Sequence, residues 1–247
     1  AGLPLVLSLY ALGPLGHVDR SHLANANPVT TTSEGGLRTK SDLHVFAFGG
    51  DGDAFSIGGN HFAHTARKNI KMTYVVMDNF VYGLTKKQTS PTSPIGFKSK
   101  TDNWGALDQP INPMKLAIAA GASFVARTTH TNPKHLLEIM DVAMDHDGFG
   151  FIECLSECTE FFKGAFDASN PRKGGAFELV PEDHDVTDEA AAYELAGEDF
   201  PGKFGIFYQV QRPTKNTLEA GGSDAAKAKF EGKKDWEVLQ STFNRMK

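Results

Sequence analysis

Cysteine is scarce in this chain. Its 247 residues hold two, Cys154 and Cys158, too few for a disulfide-stapled scaffold. Long apolar runs are also missing, and no stretch approaches the roughly 18 residues that a membrane-spanning helix needs. Ala1 to Leu15 is apolar, but Pro4, Gly13 and Pro14 break it and no Lys or Arg precedes it. No signal peptide is therefore expected, and the expected location is cytoplasmic. Positive charge runs short: 25 Lys and Arg stand against 30 Asp and Glu, a net −5 with a pI near 6.0. That balance argues against general nucleic-acid binding. The phosphate-loop pattern G-x-x-x-x-G-K-[ST] is absent, and the dinucleotide pattern G-x-G-x-x-G fails at Phe55. No internal repeat at a fixed period is evident.

What is present centres on residues 48 to 94. A β-branched and aromatic run, Leu43 to Phe48, ends in Gly49-Gly50-Asp51-Gly52-Asp53. A helical stretch, Ala54 to Lys68, leads to a second apolar run, Met72 to Met77, which ends in Asp78-Asn79. This reads as a βαβ unit with oxygen-bearing residues where both strands end, and ligands of parallel α/β sheets bind outside those carboxyl ends. Asp51 offers a carboxylate and Asn79 an amide oxygen, a pairing that suits a hard cation such as Mg²⁺ beside phosphate. Glycines around Asp51 would let the backbone turn and approach a diphosphate, with helix N–H groups favouring the anion. A calcium loop fits less well, because Phe55 occupies its third ligand position and no Gly follows.

The long loop after Asn79 runs to about Ile111, and loops of that length are functional or disordered. Beyond it, Asn112-Pro113 and Asn132-Pro133 each read as an N-cap followed by Pro at the first helical position. The expected strands are Ser123 to Ala126, Phe149 to Leu155 and Phe204 to Val210. Strands alternating with helices predict a largely parallel sheet with right-handed crossovers. The acidic stretch Glu182 to Asp188 reads as a solvated turn and helix cap, followed by a helix over Ala190 to Ala196. Two short helices are expected between Ser223 and Met246, broken near Gly232. In the second, Trp236, Leu239 and Phe243 form one apolar face expected to pack on the sheet. His61 and His64 share a helix face. A packing role under the glycine-rich turn is expected for them, since no third metal ligand lies nearby. His22 reads as a surface histidine.

Taken together, GGDGDAFSIGGNHFAHTARKN and VVMDNFVYGLTKKQTSPTSP carry a family resemblance. The GDG and DN elements resemble the diphosphate-binding motif of thiamine diphosphate enzymes. The longer strings are similar to the β subunit of 2-oxoacid:ferredoxin oxidoreductases, the 2-oxoglutarate branch in particular. The likeness continues through PINPMKLAIAAGASFVAR, PKHLLEIM and DHDGFGFIECLSEC, from about Gly36 to Thr217.

The resemblance implies an α/β fold, a mostly parallel sheet flanked by helices. It divides the chain into a poorly matched segment 1–40, a thiamine diphosphate-binding domain 41–210 and a helical tail 211–247. It implies that Asp51, Asn79 and the backbone carbonyl of Val81 coordinate Mg²⁺. It also implies that Gly50, Gly52, Asp53, Gly83, Leu84 and Thr85 line the diphosphate and thiazolium. The implied reaction is oxidative decarboxylation of a 2-oxoacid to an acyl-coenzyme A, with electrons passed to ferredoxin. A partner α subunit would supply the glutamate that activates the cofactor. Cys158 stands where the family has the last thiolate of a [4Fe–4S] cluster, while residues 1–40 lack the other three cysteines and the family's His-Gly-Arg segment. Lys87 stands where the family has glycine, and Lys86 and Lys87 read either as phosphate contacts for coenzyme A or as solvated charge. Two other readings stay open: a thiamine diphosphate decarboxylase that uses no ferredoxin, and a non-catalytic subunit that keeps the fold.

Overall fold

The computed structural model describes residues 10–11, 29–31, 37–39 and 44–245; His22 lies outside them. A six-stranded sheet in the order β1-β4-β5-β7-β6-β8 forms the centre, and β2 and β3 form a separate two-stranded pair. The strands are β1 (Tyr10–Ala11), β2 (Val29–Thr31), β3 (Leu37–Thr39), β4 (Val45–Gly50), β5 (Met72–Asp78), β6 (Phe124–Thr129), β7 (Phe149–Leu155) and β8 (Gly205–Gln209). The four inner strands run parallel, and β1 and β8 close the two edges antiparallel. All residues of β6 and β7 are buried, as expected of parallel strands covered on both faces.

The order of the strands explains where the helices lie. The chain moves from β4 to β5 through α1 (Gly59–Arg67), then past one strand position to β6 through α2 (Pro113–Ala119). It then reverses through α3 (Pro133–Met144) to insert β7 between β5 and β6. Right-handed crossovers in opposite directions place their helices on opposite faces of the sheet, so α3 packs on the side away from α1 and α2. The core follows this division. Phe62, Val76, Met114, Val125, Phe149 and Phe151 belong to one apolar cluster, with Ala192 of α4 (Glu189–Leu195). Phe46, Val75, Phe124, Ile139 and Ile152 form the other. Neighbours such as Val75 and Val76 point to opposite clusters, the period-2 alternation of a strand. Each buried phenylalanine or isoleucine contributes about 1.5–3 kcal/mol of transfer free energy.

The caps behave as expected. Asn112 accepts from the Lys115 N–H and Asn132 from the His135 N–H, and Asp188 accepts from two N–H groups of α4. Each satisfies donors that the first helical turn cannot pair internally.

Three expectations are corrected. The helix expected from Ala54 to Lys68 is two pieces: a π-helical turn at Asp53–Ile57 and then α1, joined at Gly58. A Cβ at Gly58 would collide with the carbonyl oxygen of Asp53, so glycine is required at the joint. His61 and His64 do not pack under the glycine-rich turn; both are exposed, and His64 lies 3.4 Å from Arg67. Trp236, Leu239 and Phe243, on α6 (Asp235–Arg245), do not pack on the sheet either. They stay 62%, 59% and 62% exposed. The preceding helix, α5 (Lys215–Phe230), has no buried residue, so no platform forms beneath α6.

Candidate functional site

The carboxyl ends of β4 and β5 meet around one hydroxyl group. Strand β4 ends at Gly50, and Asp51 follows at once, 2% exposed. Strand β5 ends at Asp78, which is fully buried, and Asn79 comes next. Thr92, from the long loop, places Oγ1 2.8 Å from Asp51 Oδ2 and 2.8 Å from Asp78 Oδ1. The Ser90 hydroxyl donates to the same Asp51 oxygen. Ser93 Oγ donates to the Phe80 carbonyl at 2.6 Å and accepts from the Ser90 N–H at 2.8 Å. Asn79 Oδ1 accepts from the Val81 N–H at 3.1 Å, and Asp78 Oδ1 accepts from the Phe80 N–H at 3.1 Å. Both acidic residues are thereby tied to one loop segment, Ser90-Pro91-Thr92-Ser93.

Proton counting decides the charge state here. A threonine hydroxyl has one proton to donate, yet it stands at bonding distance from two carboxyl groups. One contact therefore needs a carboxyl proton. Burial, with the nearby charges of Asp51 and Glu153, pushes Asp78 well above the usual carboxylate range. Burial also raises Asp51, but bonds from Ser90 and Thr92 oppose the effect. Of the two carboxyl groups, Asp78 is therefore the one pushed further toward its protonated form. Oδ2 of Asp78 has no partner.

The glycines serve different ends. A Cβ on Gly50 would meet nothing within 4 Å, so open space lies beside the backbone there. Gly52 has φ −65°, an ordinary right-handed conformation, so no glycine-specific turn is needed. A Cβ there would strike the Tyr82 ring. Gly49 is likewise restricted by the Tyr74 hydroxyl and by Asp53. The sharp turn read from the glycines is in fact a strand passing straight into a helix, with tyrosines packed on its bare backbone.

The remaining sequence-predicted residues divide. Val81 is 2% exposed and packs with Phe97 and Ala106, with half-buried Cys158 against them. Gly83 adjoins Cys158, whose Sγ would lie 3.4 Å from a Cβ at that position. Leu84 is 93% exposed and Thr85 is exposed. Asp53 stands apart from the Asp51 cluster: its Oδ2 accepts from the Tyr74 hydroxyl at 3.4 Å. There it lines an apolar cavity of about 390 Å³ with Phe48, His61 and Phe62. Ser90, Thr92, Ser93 and Asp78 were not read as site residues from the sequence. The signal available was the hydroxyl-rich SPTSP within an otherwise long loop.

The donor set has the chemistry of a cation–diphosphate site: hard oxygens, one formal negative charge and an open backbone at Gly50. An iron–sulfur cubane is different. It is commonly held by four thiolates, and this chain has two cysteines. Cys154 lies inside β7 with its thiol pushed up to about 12 by burial. Among the described residues no group of three or more His, Cys, Asp or Glu could hold a metal ion. The residues present do not fit the cluster.

Comparison with known proteins gives the family of the chain. The family described as thiamine pyrophosphate enzyme, C-terminal TPP binding domain, matches residues 22–154. Subunit KorB of 2-oxoglutarate synthase from Methanocaldococcus jannaschii is 34% identical over 200 residues, covering 80% of this chain and 72% of the relative. The chain belongs to this thiamine diphosphate-binding family of 2-oxoacid oxidoreductase β subunits.

Subunit KorB of 2-oxoglutarate oxidoreductase from Mycobacterium tuberculosis is 45% identical over 141 residues, 57% of this chain and 37% of the relative. Across these two family members the chain spans between 37% and 72% of the relative's length. A solved family structure, 2-oxoglutarate:ferredoxin oxidoreductase from Magnetococcus marinus with 2-oxoglutarate, coenzyme A and succinyl-CoA bound, superposes with a TM-score of 0.71. It is 37% identical, over 81% of this chain and 68% of that one. No helix among the described residues is long and apolar enough to cross a membrane.

Proposed function

We propose that the chain is the cofactor-binding β subunit of a 2-oxoacid:ferredoxin oxidoreductase that acts on 2-oxoglutarate and coenzyme A. The observation that carries this reading is the junction of two strand ends, Asp51 and Asp78-Asn79, through Thr92. Asp51, Asn79 and the Val81 carbonyl hold Mg²⁺, and Gly50 leaves room for the diphosphate beside them. Gly52, Gly83, Leu84 and Thr85 line the rest of the cofactor pocket, while Asp53, bonded to Tyr74, lies apart from it. Thiamine diphosphate, when bound, supplies the electron sink for loss of CO₂ from the 2-oxoacid. This chain's residues bind and orient it.

A partner α subunit supplies the glutamate that faces the cofactor's pyrimidine ring. Ile57, Leu84, Trp104 and Leu107 support a partner, since they are 83%, 93%, 90% and 82% exposed on the π-turn and the long loop. Exposed large apolar groups of this kind mark interaction surfaces. Lys86 and Lys87 lie on the same loop, where they meet the phosphates of coenzyme A. Cys158 contributes at most one thiolate, fewer than the four that commonly hold a cubane cluster.

Calorimetry tests the reading. Wild-type chain should bind thiamine diphosphate in a magnesium-dependent way, and Asp51→Ala should lose it, because that change deletes the cation's only anionic protein ligand. Wild-type affinity in Asp51→Ala would refute the site. The chain alone should not turn over 2-oxoglutarate until an α subunit is added.

A further inference from the structure

We infer that Ser90, Thr92 and Ser93 are positioning residues for the cation, a hydroxyl clamp that sets the rotamer of Asp51 and the path of the backbone from Phe80 to Val81. The inference rests on the cofactor reading above. Three observations on one four-residue segment carry it. First, the Ser90 and Thr92 hydroxyls converge on a single oxygen of Asp51, Oδ2. Those two bonds fix the carboxylate while leaving its second oxygen uninvolved in them. Second, Thr92 reaches across to Asp78, so the ends of β4 and β5 are held at one separation. Third, Ser93 holds the carbonyl of Phe80.

Phe80 needs such a hold. Its φ is +62°, a left-handed conformation that costs an L-residue roughly 1–2 kcal/mol. Strained backbone of this kind persists only where its surroundings over-determine it. Here the Ser93 bond and the Phe166 ring, with centroids 4.8 Å apart, do so. The turn matters because Asn79 and Val81, on either side of Phe80, are the other two oxygen donors.

The clamp itself is stiff. Pro91 and Pro94 flank Thr92 and Ser93 and fix φ at two positions, which lowers the entropy lost in ordering the clamp. All three hydroxyl residues are at most 5% exposed, so water does not compete for their bonds. Outer partners that orient a metal's direct ligands typically change its affinity by roughly 10–100-fold when lost.

Thr92→Val removes the hydroxyl at nearly constant shape. We expect magnesium affinity, titrated calorimetrically on the full chain with saturating thiamine diphosphate, to fall about tenfold or more. Thr92→Ser should restore it. In the assembled enzyme the Thr92→Val change should raise the KM for magnesium far more than it lowers kcat at saturating magnesium. Ser99→Ala is the control, because Ser99 lies in the same loop but bonds Asp102 and Thr101 rather than Asp51. Should Thr92→Val not fold, Ser90→Ala reads the same bond set. Equal weakening by Ser99→Ala, or wild-type magnesium affinity in Thr92→Val, would overturn the clamp while the cofactor reading stands. Absence of magnesium-dependent binding in the wild type would overturn both.

Discussion

Arg127 and Glu153 face each other across β6 and β7, paired in register, with Nε 2.5 Å from Oε2. Their side chains are 9% and 2% exposed. Arg127 also donates from Nη1 to the Pro201 carbonyl at 3.2 Å. This is a buried ion pair, in which removing one partner is far worse than removing both.

Arg127→Met should therefore destabilise the fold by about 3–5 kcal/mol, since it strands a carboxylate in the interior. The double variant Arg127→Met with Glu153→Met should cost less than the single one. Urea denaturation of both variants measures this. If the two substitutions simply added, the pair would not be coupled and the argument would fail.

Lys86 and Lys87 have φ of +66° and +71°, consecutive left-handed residues at the turn that begins with Tyr82-Gly83. A side chain there costs roughly 1–2 kcal/mol, part of which glycine returns as flexibility in the unfolded chain. Lys86→Gly should raise stability by about 1 kcal/mol. Lys87→Gly should gain less, because it gives up the ammonium held 5.2 Å from the centre of the Phe97 ring, a contact worth about 0.5–1 kcal/mol. Thermal midpoints rank the two, and a fall in both would contradict the strain argument. The same φ gives a physical reason for glycine at position 87 in the resembling family.

Burial lowers His146 from 6.5 to about 4, and His44 and Arg212 act in the same direction, while Asp147 opposes. Its Nε2 lies 2.7 Å from Ser123 Oγ. The folded state thus binds the proton more weakly than the unfolded chain. Its stabilisation is whole above pH 6.5 and is lost as pH falls through about 4. The loss is on the order of 3 kcal/mol. His146→Gln should flatten that part of the urea-midpoint profile between pH 7.5 and 4.5, leaving the smaller shares of His44 and His135, which burial also lowers. An acid limb unchanged in His146→Gln would disprove the assignment.

The fold was largely legible because its signals are local. Periodic apolar runs gave the parallel strands, with β7 matching Phe149 to Leu155 end to end, and Asn-Pro pairs gave the starts of α2 and α3. The positions of Asp51 and Asn79 at the ends of β4 and β5 could be read because an apolar run that stops at Gly, Asp or Asn marks a strand end. The hydroxyl clamp could not. Ser90 is 39 residues from Asp51 and Thr92 41, and a serine-rich loop looks the same in sequence whether it is solvated or buried. The reason for Gly52 was also hidden, since it lies in the packing of Tyr82 and not in the turn. The apolar stripe of α6 was read correctly as a stripe, but periodicity carries no information on what faces it.

Asn69 sits at the amino-terminal ends of the inner strands, 3% exposed and left-handed at φ +49°. Its Oδ1 accepts from Ser123 Oγ and from the Phe149 N–H, and its Nδ2 donates to the carbonyls of Arg212 and Pro213. Those last two bonds join residues 143 and 144 positions apart. As the chain leaves the ribosome, β4, β5, β6 and β7 are all made before the acceptors of that amide exist. The segment after β8 is thus the closing stitch of the parallel sheet, and the order of synthesis leaves the buried amide waiting until residues 212 and 213 have been made.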